Sequence, residues 1–240
     1  MIIGAIGGDF HSACATELGR TIARSGLILL TGGDGSDPTQ VKDAAMCGAA
    51  NAGPGVSGRR IAVLPCTALP QRTRKDETEF LLYTGKPHNV RNYINGLTPD
   101  ALVAFGGSCG TLAETAFALA AGRPIRFYGT SKKGATIARL RKNLATLARA
   151  ENLDLYLTKP LEVWQDSIDG EQWNATELFS LLSDHLCRAE PWVGSVENLI
   201  GSLLSELGDR ETPLQTGFPG LPGIGISKEQ FEQAVTDLSK

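Results

Sequence analysis

The sequence predicts an α/β fold: a parallel sheet covered on both faces by helices, followed by a helical, Gly/Pro-rich C-terminal extension. Three observations predict it. Short apolar runs alternate with longer amphipathic ones from Ile2 to Gly129, the pattern of strands joined by crossover helices. Three of the strand ends carry glycine-rich loops, "GGDFHS", "TGGDGSD" and "FGGSCGT". And 240 residues suffice for one sizeable domain with an appendage, not for two large domains.

In chain order, the apolar runs predict strands at 2–7, 27–32, 61–65, 79–85, 101–107 and 124–129. Between them the pattern predicts helices at 12–25, 38–51, 88–97 and 110–122. The second helix has a legible start, with Asp37 as N-cap, Pro38 at the first helical position and Gln40 three residues after the cap. Lys132 to Ala150 reads as a further helix with a basic, solvated face, since acids resume at once in "AENLDL". From Ala189 the character changes. "VENLIGSLLSELG" predicts a helix with Val196, Leu199, Ile200, Leu203, Leu204 and Leu207 on one side, then a Gly/Pro-rich stretch and a short helix starting at Ser227. This divides the chain into a domain over 1–188 and an extension over 189–240.

Composition narrows the partner. With 20% charged residues, a formal net charge of −3 and a pI of about 5.7, no basic field exists to collect nucleic acid, so a small partner is expected. Five cysteines, scattered without Cys-x-x-Cys or Cys/His spacing, point away from a disulfide framework and from a metal site. The N-terminal "MIIGAIGGDF" lacks the basic region of a signal peptide, and no apolar run reaches the roughly 18 residues of a membrane span. A cytoplasmic, reduced setting is the expectation.

In a sheet of this kind ligands settle at the carboxyl ends of the strands, where glycine lets backbone N–H groups approach an anion. Gly7 and Gly8, Thr31, Gly32 and Gly33, and Gly106, Gly107, Ser108, Gly110 and Thr111 are therefore candidate phosphate-binding residues. Glycine serves tight turns equally well without any ligand. None of the loops is G-x-G-x-x-G, and no Walker A lysine and hydroxyl are present, which argues against a dinucleotide dehydrogenase and a P-loop ATPase.

The stretch "TGKPHNVRNYINGLTPDALVAFGGSCGTLAETAFALAAGRPI" resembles the lonely-guy (LOG) superfamily, and within it the branch of molybdenum-cofactor carrier proteins. Aligned on Gly110, Thr111 and Glu114, the chain supplies Gly107 and then Ser108 where a second glycine usually stands, and Arg91 falls at the family arginine. The resemblance covers Met1 to Tyr128. It departs after "TGGDG", where "SDPTQVKDAAMCGAA" stands in place of the family's Gly-Leu/Val-Met run. The resemblance implies a Rossmann-like domain assembled as a homodimer or homotetramer. It implies one of two activities: hydrolysis of the N-glycosidic bond of a nucleoside 5′-monophosphate, which needs no cofactor, or carriage of a phosphorylated cofactor such as the molybdenum cofactor, or sensing of a signalling nucleotide.

On the hydrolase reading Arg91 and Glu114 are the catalytic pair. An ionised Glu114 would stabilise positive charge on the sugar or orient water, and Arg91 would hold the phosphate or steady the departing base. Two plainer readings stand beside it: a capping box of Thr111 with Glu114, and a solvated Arg91 paired with Asp100 or Glu114. Asn92 could touch a sugar hydroxyl or cap locally, and His11 and His88 could protonate a leaving base or serve as ordinary hydrogen-bonded residues. Cys109, at the start of a helix, is expected to have a lowered thiol pKa without acting as a nucleophile. Arg72, Arg74 and Lys75 read as a solvated, mobile loop, with closure over an anionic ligand as the alternative.

Overall fold

The computed structural model describes residues 1–9, 11–33, 37, 39–53, 56, 58–65, 76–129, 135–164 and 173–208. The expectations for Arg72, Arg74, Lys75 and the helix from Ser227 lie outside these residues.

The sheet contains β1 (Ile2–Ile6), β2 (Ile28–Thr31), β3 (Arg60–Leu64), β4 (Glu79–Tyr83), β5 (Ala101–Ala104), β6 (Ile125–Tyr128) and β7 (Pro191–Trp192). Their spatial order is β4-β3-β2-β1-β5-β6-β7 and every pairing is parallel. The apolar runs are continuous because the central strands are covered on both faces. β1 divides its side chains accordingly. Ile2 and Ile6 enter a core with α3 (Arg91–Leu97), α4 (Cys109–Ala120) and α8 (Ala175–Arg188), while Ile3 and Ala5 enter one with α1 (Ser12–Arg24), α2 (Val41–Ala50) and α9 (Val196–Gly208). The result is a Rossmann-like α/β fold.

Six of the seven strands lie where the apolar runs predict them. Pro191–Trp192 escaped that reading because two residues carry no periodicity. They pair with Phe127 and Tyr128 at the sheet edge, a place that tolerates a proline. The helix that follows matches its predicted face: Val196, Leu199, Ile200 and Leu203 are buried, with Leu204 and Leu207 packed against them. Arg126 of β6 donates to Glu206 of α9 at 2.7 Å, tying this helix to the sheet. Residues 191–208 of the predicted extension thus contribute a strand and a helix to the main sheet and its core.

The helix predicted from 38 starts at Val41, with Gln40 as its N-cap. Asp37 instead closes a local turn, its Oδ1 accepting from the Thr39 amide at 3.0 Å and the Thr39 hydroxyl at 2.6 Å. The basic helix is α5, Ala135–Leu147. Beyond it α6 (Ala150–Leu153) runs through a π-helical turn (Asp154–Thr158) into α7 (Lys159–Trp164). Trp164 Nε1 donates to the Val90 carbonyl at 3.1 Å, pinning this run beside the start of α3. Among the described residues no helix is long and apolar enough to cross a membrane.

Candidate functional site

Chain direction fixes where a crevice must open. From β1 the chain steps outward through β2, β3 and β4, then returns to lay β5 on the other side of β1. This reversal is the topological switch point of an open α/β sheet, and the loops leaving β1 and β5 diverge there. Gly7 and Gly106 take positive φ of 154° and 87° in these loops, a region costly for a side chain. Gly107, with φ of 148°, is needed twice over: a Cβ there would collide with the Thr111 side chain.

A cleft of about 320 Å³ opens at this point. It brings together Gly7, Gly8, Gly32, Gly33, Arg91, Asn92, Ser108, Gly110 and Thr111 of the predicted site, with His88. Thr31, Gly106, Gly107 and Glu114 are not among its lining residues. Thr31 is fully buried, and its hydroxyl accepts from the Gly33 amide at 3.3 Å. The Gly107 carbonyl accepts from Asn143 of α5 at 2.7 Å. Gln40, Lys42 and Asp43 of the α2 start complete the wall, with Asp37.

The three loops are not electrostatically equal. α2 carries Asp43 in its first turn, and the Val41 amide is already given to the Gly8 carbonyl at 2.8 Å. α4 has no acid in its first turn, and among the described residues its N-cap, Ser108, makes no side-chain capping bond; Ser108, Gly110 and Thr111 line the cleft. Its first-turn N–H groups and the positive end of its dipole therefore face the cavity. This also decides the capping question. Ser108 is the N-cap and Thr111 lies inside the helix, so Thr111 and Glu114 do not form a capping box. Cys109 departs from expectation as well: burial raises its thiol pKa, outweighing the helix end.

Glu114 is fully buried. Oε1 accepts from Lys42 Nζ at 2.6 Å and from Asn95 Nδ2 at 2.7 Å. Oε2 and the cleft-lining Asn92 Nδ2 have no hydrogen-bond partner among the described residues. Burial lowers the pKa of Lys42, and nearby Arg91 lowers it further, against the opposing pull of Glu114. Among the described residues Arg91 makes neither plainer pairing; its Nη1 donates to the carbonyls of Gly32 at 2.6 Å and Val63 at 3.1 Å. Its Nη2 lies 2.6 Å from His88 Nε2, which must then be the acceptor, so the imidazole is neutral with its proton on Nδ1. Burial first, then Arg91 and Lys42, lower the His88 pKa in keeping with this. His11 is not a lining residue; it precedes α1 at φ 67° and meets the Tyr128 ring edge-on.

Lys42 is the cation of the cleft wall that the sequence did not single out. Its only signal was a single lysine on a helix otherwise rich in alanine, within the segment that departs from the family run.

No curated protein matches the chain. The molybdenum cofactor binding protein from the phototrophic bacterium Rippkaea orientalis is 26% identical with a TM-score of 0.52, over 86% of this chain and 96% of that one. The molybdenum cofactor carrier protein from Chlamydomonas reinhardtii is 34% identical with a TM-score of 0.44, over 62% of this chain and 85% of that one. The model of the SLOG cluster4 family matches residues 1–156, in agreement with the Arg91 and Gly-Thr-x-x-Glu register, and the chain belongs to that family.

Proposed function

We propose that the cleft binds a small phosphorylated ligand and that the protein carries a cofactor of the molybdenum-cofactor kind without cleaving it. The observation that carries this reading is the α4 N-terminus, uncapped and free of acid, opening on a cleft lined by the unpartnered Asn92 amide. Such an end favours a phosphate, whose oxygens would accept from the first-turn N–H groups and from Asn92. The Rippkaea orientalis relative, a molybdenum cofactor binding protein, supports the choice of ligand.

Binding is favoured over hydrolysis by the state of the polar pair. A carboxylate that attends a sugar must reach it, whereas Glu114 is buried, engaged by Lys42 and Asn95 and absent from the cleft wall. The Arg91 guanidinium is directed at two carbonyls and an imidazole, and His88 Nε2 has no proton to give a leaving base. One observation favours the hydrolase reading: Glu114 Oε2 has no partner among the described residues. Incubation with a panel of nucleoside 5′-monophosphates separates the two. The carrier reading predicts binding with no release of base or ribose 5-phosphate; release that disappears in Glu114→Gln would establish the hydrolase instead.

A further inference from the structure

We propose that Lys42, rather than Arg91, is the cation that recognises the ligand's phosphate, and that Glu114 is a positioning residue that holds Lys42 ready for it. This rests on the reading of the cleft as a phosphate site.

Lys42 stands in the first turn of α2, on the opposite face of the sheet from α4, and its ammonium crosses the ends of the strands to reach Glu114. It lines the cleft while Glu114 does not, and its side chain is 15% exposed against 0% for the carboxylate. The cation is therefore the partner that can turn toward a ligand. Arg91 also lines the cleft, but its Nη1 and Nη2 donors are aimed at Gly32, Val63 and His88. It braces the strand ends.

The pair is built so that Lys42 can leave it. Asn95 donates to the same Oε1, so the buried carboxylate keeps a hydrogen bond when the ammonium moves to a phosphate oxygen. Gly32 makes room for this cluster. A Cβ there would lie 2.7 Å from Asn95 Nδ2 and 3.2 Å from Lys42 Nζ, so a side chain would press on both. The acids of the cleft wall, Asp37 and Asp43, are braced locally, Asp43 Oδ2 accepting from the Asp37 amide at 3.0 Å. With two carboxylates in the wall, an anion needs a movable cation to enter, and Lys42 is the residue placed to supply it.

Calorimetric titration with inorganic phosphate at fixed ionic strength, on the full chain, tests this. Lys42→Gln should weaken binding about tenfold, the cost of one charge-assisted contact, whereas Lys42→Arg should stay within about threefold of wild type. Glu114→Gln should weaken binding severalfold, because a neutral amide no longer holds the ammonium at the cleft wall. Equal affinity in wild type and Lys42→Gln overturns the assignment of Lys42 while leaving phosphate binding intact. Equal or tighter binding in Glu114→Gln overturns the holding role. If that variant does not fold, the contrast between Lys42→Gln and Lys42→Arg decides alone. An absence of phosphate binding in wild type overturns the underlying site and this assignment with it.

Discussion

Glu114 shows how one carboxylate changes meaning once its neighbours are known. With Lys42 and Asn95 on the same oxygen it is half of a buried ion pair, and removing it strands a desolvated ammonium. Glu114→Ala should therefore lower stability by about 3 kcal/mol in urea unfolding, the lower end for a broken buried pair because Lys42 still reaches the cleft. Glu114→Gln, which keeps the acceptor for Lys42, should cost clearly less. A second prediction concerns pH. The chain's three histidines, His11, His88 and His185, all have pKa values lowered from 6.5, by burial first and in the last two also by nearby cations. The unfolded chain then takes up protons more readily than the folded one. The stability they contribute is present above about pH 6.5 and is lost as pH falls below it, through the folded-state values. Urea midpoints at pH 7.5 and 5.5 should fall less far in His88→Gln than in wild type. An equal fall in both would remove His88 from the explanation.

At the scale of elements, strands and helices were legible because their signals are local. β1 to β6 are apolar runs, and α9 shows its buried face at Val196, Leu199, Ile200 and Leu203. What was not legible depends on partners distant in sequence. The Lys42 to Glu114 contact spans 72 residues and joins helices on opposite faces of the sheet, so no motif within one helix could announce it. The Thr-x-x-Glu pattern misled for a related reason: the glycine turn sets the helix start at Cys109, one turn before the register a capping box requires. Backbone proximity is equally silent in sequence. Cβ atoms at Gly19 and Gly48 would strike the backbones of α2 and α1 respectively, so these helices touch there. Gly48→Ala should cost roughly 2–3 kcal/mol through forced separation of the pair, read as a lowered urea midpoint. Gly107→Ala should cost roughly 1–3 kcal/mol through its positive φ, and should also disturb ligand binding because the α4 start must shift.

On the scale of the whole molecule, the reversal of strand order between β1 and β5 places the cleft, and the segment 191–208 closes the far side of the sheet. β7 extends the edge beyond β6, and α9 covers part of the core under α1. A chain ending at Glu190 would lose Val196, Leu199, Ile200 and Leu203 from the core they share with α1, and should melt at lower temperature or aggregate. An unchanged melting temperature would mean that α9 adds nothing to that core. The central claim, that the cleft between the β1 and β5 loops seats a phosphorylated cofactor without cleaving it, is tested most directly by titrating purified protein with molybdenum cofactor. The binding should be followed optically, with inorganic phosphate as competitor. Saturable binding that phosphate displaces, with the cofactor recovered intact, is the predicted result; cofactor binding indifferent to phosphate, or none alongside cleavage of a nucleoside monophosphate, would contradict it.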